Sequence, residues 1–190
     1  MKTINEQEYI FTSKRLGFRN WKTSDLPMFA EMNAHTEVMR HFPKPLTREE
    51  SLGFFSRLNS HFDDQGYTYF AVELLDSNEW IGFIGLAYQN YVTAFAPGVD
   101  IGWRLHPNFW GNGYATEGAK RCLKYAFNTL RLDQVFATCT MTNQQSENVM
   151  LKIGMSFKGE FHHPNLSEYP EMQHCKWYEI LAADFSKPKS

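Results

Sequence analysis

The sequence predicts a mixed α/β fold, with a central, mostly antiparallel sheet of about seven strands flanked by about four helices. Three observations predict it. Apolar residues recur at helical spacing in some segments and as short β-rich runs in others. Two of those runs, YFAVELL and WIGFIGLAYQ, are separated only by the turn signal DSNE, which makes an antiparallel hairpin. A strand–helix–strand unit over residues 99–140 requires a crossover, and hence one local parallel pair.

Residues 12–20 (TSKRLGFRN) read as a first strand. In SDLPMFAEMNAHTEVMRHF, Leu26, Phe29 and Met32 stand at helical spacing, and FPKP ends the run because proline cannot continue a helix. TREESLGFFSRLNSHF opens on a capping box, Thr47 as N-cap and Glu50 three residues on, with Leu52, Phe55, Leu58 and Phe62 along one face. After the hairpin, a loop holding Pro97 and Gly98 leads into the strand VDIGWRL. From Thr116 to about Leu130, Ala119, Cys122, Leu123, Ala126 and Phe127 mark a helix, and VFATCT is the next strand. A shorter helix runs from about Gln145 to Ile153 and stops at Gly154, and strands around MSFKGEF and QHCKWYEIL close the chain.

The 190 residues suit a single domain spanning 1–190. A hydrophobic fraction of 43% with 16% aromatics supports a packed core. A net charge of −2 without a basic stripe argues against a nucleic-acid partner. No apolar run reaches the roughly 18 residues a bilayer span needs, and MKTINEQEYIFTSK lacks a signal-peptide core, so no membrane association and a cytoplasmic location are expected. Cys122, Cys139 and Cys175 are far apart and form no CxxC pair, which reads as buried free thiols. His162 and His163 are adjacent, so on a strand they face opposite sides, and no metal site is expected.

The chemistry concentrates in HPNFWGNGYATEG, residues 106–118. Pro107 suits a strand exit, because it has no N–H to give a ladder. Gly111 and Gly113 then fall at the handover from strand to helix, where glycine allows positive φ or close approach to the main chain. The first N–H groups of a helix lack intrahelical partners, and its dipole leaves that end partly positive, so it binds phosphate without a charged side chain. A P-loop is excluded for want of its lysine, and the dinucleotide fingerprint GxGxxG is broken at Thr116. Alone, the glycine pair reads equally as a flexible turn. A second constellation, TNQQSENVMLKIGM, follows VFATCT; there Asn143 either caps the next helix or bonds an extended amide-containing ligand.

With both constellations in place, the chain resembles the GNAT superfamily of N-acetyltransferases, in the branch of the RimJ/RimL-like ribosomal-protein N-acetyltransferases. The resemblance runs from about residue 10 to 182 through TSKRLGFRNWKTSDLPMF, EVMRHFPKPLTREES, WIGFIGL, DIGWRLHPNFWGNGYATEG, TNQQSENVMLKIGMSFKGE and WYEIL. The family's [QR]xxGx[GA] loop falls on Asn108 to Gly113, with Asn108 where Gln or Arg is usual.

The resemblance implies that acetyl-CoA lies in a splay between VDIGWRL and VFATCT. Main-chain groups of Trp103, Arg104 and Leu105 would bond the pantetheine arm, and Asn143 would bond it from the other side. Amides of Gly111, Asn112, Gly113, Tyr114, Ala115 and Thr116 would hold the pyrophosphate. The implied reaction is direct attack of a primary amine, on a small molecule or a protein N-terminus, upon the thioester. Asp100 is the candidate base, or else a structural carboxylate. The family's usual acid, a tyrosine, falls on Met150, so Ser146 is the candidate in its place, or else a packed helix residue. The alternative is a non-catalytic CoA-binding regulatory module. Phe42, Phe54, Phe55 and Phe62 are expected on the acceptor side, and Glu168 and Glu171 could attract a cationic amine. The family's assemblies admit a monomer or a homodimer.

Overall fold

A computed structural model describes residues 9–185. The chain opens with β1 (Phe11–Thr12) and β2 (Leu16–Arg19), followed by α1 (Leu26–Ala34), α2 (Thr36–Met39) and α3 (Arg48–Gln65). β3 (Tyr69–Leu74), β4 (Trp80–Gln89) and β5 (Gly98–Leu105) lead into α4 (Tyr114–Asn128), β6 (Gln134–Thr140) and α5 (Gln144–Ile153). β7 (Ser156–His162), α6 (Pro170–Gln173), β8 (His174–Leu181) and α7 (Ala182–Phe185) complete it.

The strands form one eight-stranded sheet in the order β1-β2-β3-β4-β5-β6-β8-β7. Every neighbouring pair is antiparallel except β5–β6, the parallel pair that the crossover through α4 requires. The expected first strand is two strands. A tight turn, closed by the Ser13 amide on the Leu16 carbonyl (2.8 Å), splits it, and Glu117 anchors that turn through the Ser13 hydroxyl (2.7 Å) and the Arg15 amide (2.8 Å).

Each sheet face carries its own core. Ala119, Cys122, Leu123, Ala126 and Phe127 of α4 pack on Leu16, Phe18, Ile84, Leu86, Ile101 and Val135. On the opposite face, Phe29 and Met32 of α1 with Phe55 and Leu58 of α3 enclose Trp21, Ala71, Trp80 and Phe83. Each such fully buried side chain contributes about 1.5–3 kcal/mol of transfer free energy. The α3 capping box forms as expected, with the Glu50 amide on Thr47 Oγ1 (3.1 Å) and the Thr47 amide on Glu50 Oε2 (2.8 Å). All three cysteines are buried and free. Among the described residues, no helix is long and apolar enough to cross a membrane.

Candidate active site

β5 is bonded along its full length to β4, from Gly82↔Leu105 to Gln89↔Gly98. On its other edge it meets β6 at one register pair, Asp100↔Phe136. Past that pair the strands part. Gly102, Trp103 and Arg104 on one lip, and Thr138, Cys139 and Thr140 on the other, border a cleft instead of a ladder. An open strand edge is a template for any ligand with spaced amide donors and acceptors. The Leu105 carbonyl is already engaged by the Trp110 indole N–H (2.8 Å), which ties the following loop to the strand end.

Two cavities lie along this cleft. One of about 410 Å³ is bordered by Leu105, Gly111, Gly113 to Thr116, Arg40 and Lys152. One of about 340 Å³ is bordered by Asp100, Tyr69, Phe83, Phe54, Cys139 and Met150. Both include His41, Phe42, Trp103, Arg104, Asn143 and Ser146, so they are halves of one groove.

The first half ends at α4. Gly113 is its N-cap, with φ of 79° and no side-chain cap, and Gly111 has φ of 76°. The first intrahelical bond runs from the Glu117 amide to the Gly113 carbonyl, leaving the amides of Tyr114, Ala115 and Thr116 as orphan donors. A methyl group at Gly111 would meet nothing within 4 Å, so backbone conformation, not crowding, demands glycine there. Arg15, not anticipated from the sequence, buttresses the loop. It donates to the Asn112 carbonyl (3.1 Å), stacks over Tyr114 (4.4 Å) and pairs with Glu117 (2.7 Å).

The second half is centred on Asp100, at the point where β5 and β6 part. Tyr69 Oη donates to its Oδ1 (2.7 Å) and Gln89 Nε2 to its Oδ2 (3.1 Å). Burial pushes the carboxyl up to about 7, against the opposing pull of those bonds and of the Ala87 backbone. Tyr69 reaches Asp100 across β4 because Gly102 clears the way, since a Cβ there would sit 3.0 Å from the Tyr69 ring. The ring is held by stacking on Phe83 (5.5 Å between centroids). The pairing spans 31 residues and follows from sheet register, which no local pattern in the sequence carries.

On α5, Asn143 is the N-cap, its Oδ1 accepting from the Ser146 amide (3.1 Å). Asn143 also borders both cavities, as does Ser146. Met150 lies one turn further and is buried against the main core. Of the four phenylalanines expected on the acceptor side, Phe42 and Phe54 border the groove. Phe55 and Phe62 do not, because their positions on α3 turn them into the two cores. Glu168 and Glu171 are exposed and do not border the groove, whereas His163 and Leu166 do. His162 stacks on His174 (5.3 Å) while His163 packs on Tyr91 (4.8 Å), so the adjacent histidines do face different ways.

The family model of the acetyltransferase (GNAT) domain matches residues 15–156. An uncharacterized N-acetyltransferase of Bacillus subtilis (strain 168), YnaD, is 33% identical over 150 residues, covering 79% of this chain and 84% of the relative. Spermidine N(1)-acetyltransferase of Escherichia coli (strain K12) is 27% identical over 146 residues, covering 76% and 75%. Among solved structures, a GNAT-family acetyltransferase from Bacillus anthracis matches with a TM-score of 0.74 at 27% identity, over 90% of this chain and 98% of that one.

Proposed function

The chain belongs to the acetyltransferase (GNAT) domain family, and from that premise we propose that it moves an acetyl group from acetyl-CoA to a primary amine by direct attack in a ternary complex. The observation that carries this reading is the parting of β5 from β6 after one register pair, beside a helix that opens on bare amides.

The residues present fit the coenzyme. The edge from Gly102 to Leu105, open save for the Leu105 carbonyl held by Trp110, and the Nδ2 of Asn143 match an arm that contains two amides. Amides from Gly111, Asn112 and Gly113 through Tyr114, Ala115 and Thr116 match a pyrophosphate, and Arg40 and Lys152 border the same half for a further phosphate. Bound there, acetyl-CoA supplies a thioester, an acyl carbon already activated towards a nitrogen nucleophile.

Asp100 accepts the proton that the amine nitrogen sheds as its bond to carbon forms. A carboxyl near 7 is suited to this, being a stronger base than an ordinary aspartate yet half ionised at neutral pH. Tyr69 and Gln89 position it. Ser146 Oγ gives a proton to the departing sulfur and regains one from solvent, while Asp100 releases its own to solvent, so the net movement is one proton from nitrogen to sulfur. The acceptor is a small-molecule amine or a protein N-terminus; the Escherichia coli relative named for spermidine supports the first, and the RimJ/RimL-like motifs the second.

The test is release of free thiol from acetyl-CoA in the presence of amines and peptide N-termini. Release that depends on the amine supports the reading. Tight CoA binding with no release across a broad panel would make the protein a binding module instead.

A further inference from the structure

Arg104 lies beyond Asp100 on β5 and shares its sheet face, the one covered by α1 and α3. Three rings box its guanidinium, with Cζ 4.2 Å from the centroid of Phe42, 5.3 Å from Phe83 and 5.8 Å from Phe54. Nη1 donates to Oδ1 of Asn33 (2.6 Å), a fully buried amide carried by α1. Nε is buried without a partner, and Nδ2 of Asn33 is a second buried donor without one.

Among the described residues no carboxylate pairs with this guanidinium. Burial draws it down to about 10, so it stays protonated at neutral pH. The rings favour a cation, but they do not satisfy N–H donors as an oxygen does. The engaged Nη1 fixes the group from one end. Nε is walled in, so Nη2, with no side-chain partner among the described residues, is the donor a ligand can meet from the groove. Arg104 borders the same cavity as Asp100.

We infer that the acceptor is an amine that also carries a carboxylate, an amino acid or close relative, bound with its carboxylate on the Nη2 side of Arg104 and its nitrogen towards Asp100. This rests on the acetyl-transfer reading of the same groove. The carboxylate is a handle and is unchanged by the reaction: a C–N bond forms, the C–S bond breaks, and the nitrogen's proton passes to Asp100 while the sulfur gains one. A polyamine fits less well, because it would bring ammonium groups beside an uncompensated cation, and Glu168 and Glu171 lie outside the groove. The acceptor therefore differs from the one for which the Escherichia coli relative is named.

The experiment compares amino acids of increasing chain length with their own amides, their decarboxylated amines and spermidine. The readout is kcat/KM by thiol release at saturating acetyl-CoA, for the wild type and Arg104→Gln. The wild type is expected to prefer each good acid over its amide by about 10–100-fold, and Arg104→Gln to bring that ratio close to one. The ratio is taken within one enzyme, so a loss of folded protein in the variant does not disturb it. Equal or better turnover of the amides, the decarboxylated amines or spermidine by the wild type overturns the inference, and so does an unchanged ratio in Arg104→Gln. Transfer to spermidine without acid preference leaves acetyl transfer standing. No transfer to any amine by folded, CoA-binding protein brings down both.

Discussion

Two arginines, Arg19 buried and Arg104 half-buried, stand on the α1 and α3 side of the sheet in opposite states. Arg19 on β2 is enclosed by carboxylates. Its Nη1 and Nη2 bond Asp25 at 2.7 and 2.8 Å, its Nε bonds Glu73 at 2.6 Å, and Glu73 also accepts from Tyr9 Oη (2.9 Å). Burial alone would lower the affinity of Arg19 for its proton, but the bonds to Asp25 and Glu73 outweigh it and raise that affinity. Arg104 on β5 is also desolvated, has one amide oxygen and three rings, and is lowered. The fold completes the first charge by itself and leaves the second for a ligand. A buried ionic cluster closed on itself holds the fold's geometry; an open one bordering a groove marks where function lies.

The largest expected effect concerns the groove. Asp100→Asn should lower kcat/KM by about 10²–10⁴-fold, read by thiol release. The same change should raise stability at pH 8. The folded carboxyl sits near 7 instead of its ordinary 3.8, so its proton favours folding below about pH 4, and that advantage is lost as pH rises through 7. Above that, the wild type holds a half-buried charge that asparagine lacks, a difference of up to about 4 kcal/mol. Thermal unfolding at pH 8 checks this, and a less stable Asp100→Asn would break the contrast between a site kept under strain and a cluster built for stability. In the wild type, kcat/KM should rise with pH through about 7 as the base ionises.

Glu73→Gln should behave in the reverse sense. It leaves Arg19 half paired and should cost about 3–5 kcal/mol in denaturant unfolding, while the folded fraction keeps its kcat/KM. If it were as harmless as an exposed substitution, the two arginines would not differ as described. Gly102→Ala is smaller. The new methyl displaces the Tyr69 ring from Asp100, and kcat should drop about tenfold, or ~1.4 kcal/mol, with CoA affinity unchanged in calorimetry. Gly113→Ala is smaller again. A left-handed alanine costs about 1 kcal/mol, and the loss should appear in CoA affinity more than in the acceptor's KM.

The sequence made the seam legible, because its markers are local. Pro107, the glycines at 111 and 113, the Thr47–Glu50 box and the stripe along α4 each act within a few residues of chain. The chemistry within the seam was less legible. Asp100 was visible as a candidate, but Tyr69 and Gln89 come to it from other strands through register, and Asn33 reaches Arg104 from 71 residues away. The sequence points to Arg104 for its main chain alone, since no pattern in it says which arginine lacks a carboxylate. The misplaced Phe55 and Phe62 have the same origin: periodicity gives a helix its apolar face without saying what that face meets.

The most direct test is a crystal structure of the protein with CoA. The pyrophosphate is expected within hydrogen-bond distance of amides between Gly111 and Thr116, and the arm along Gly102 to Leu105 between β5 and β6. A coenzyme bound elsewhere, or one whose arm does not enter that seam, would contradict it.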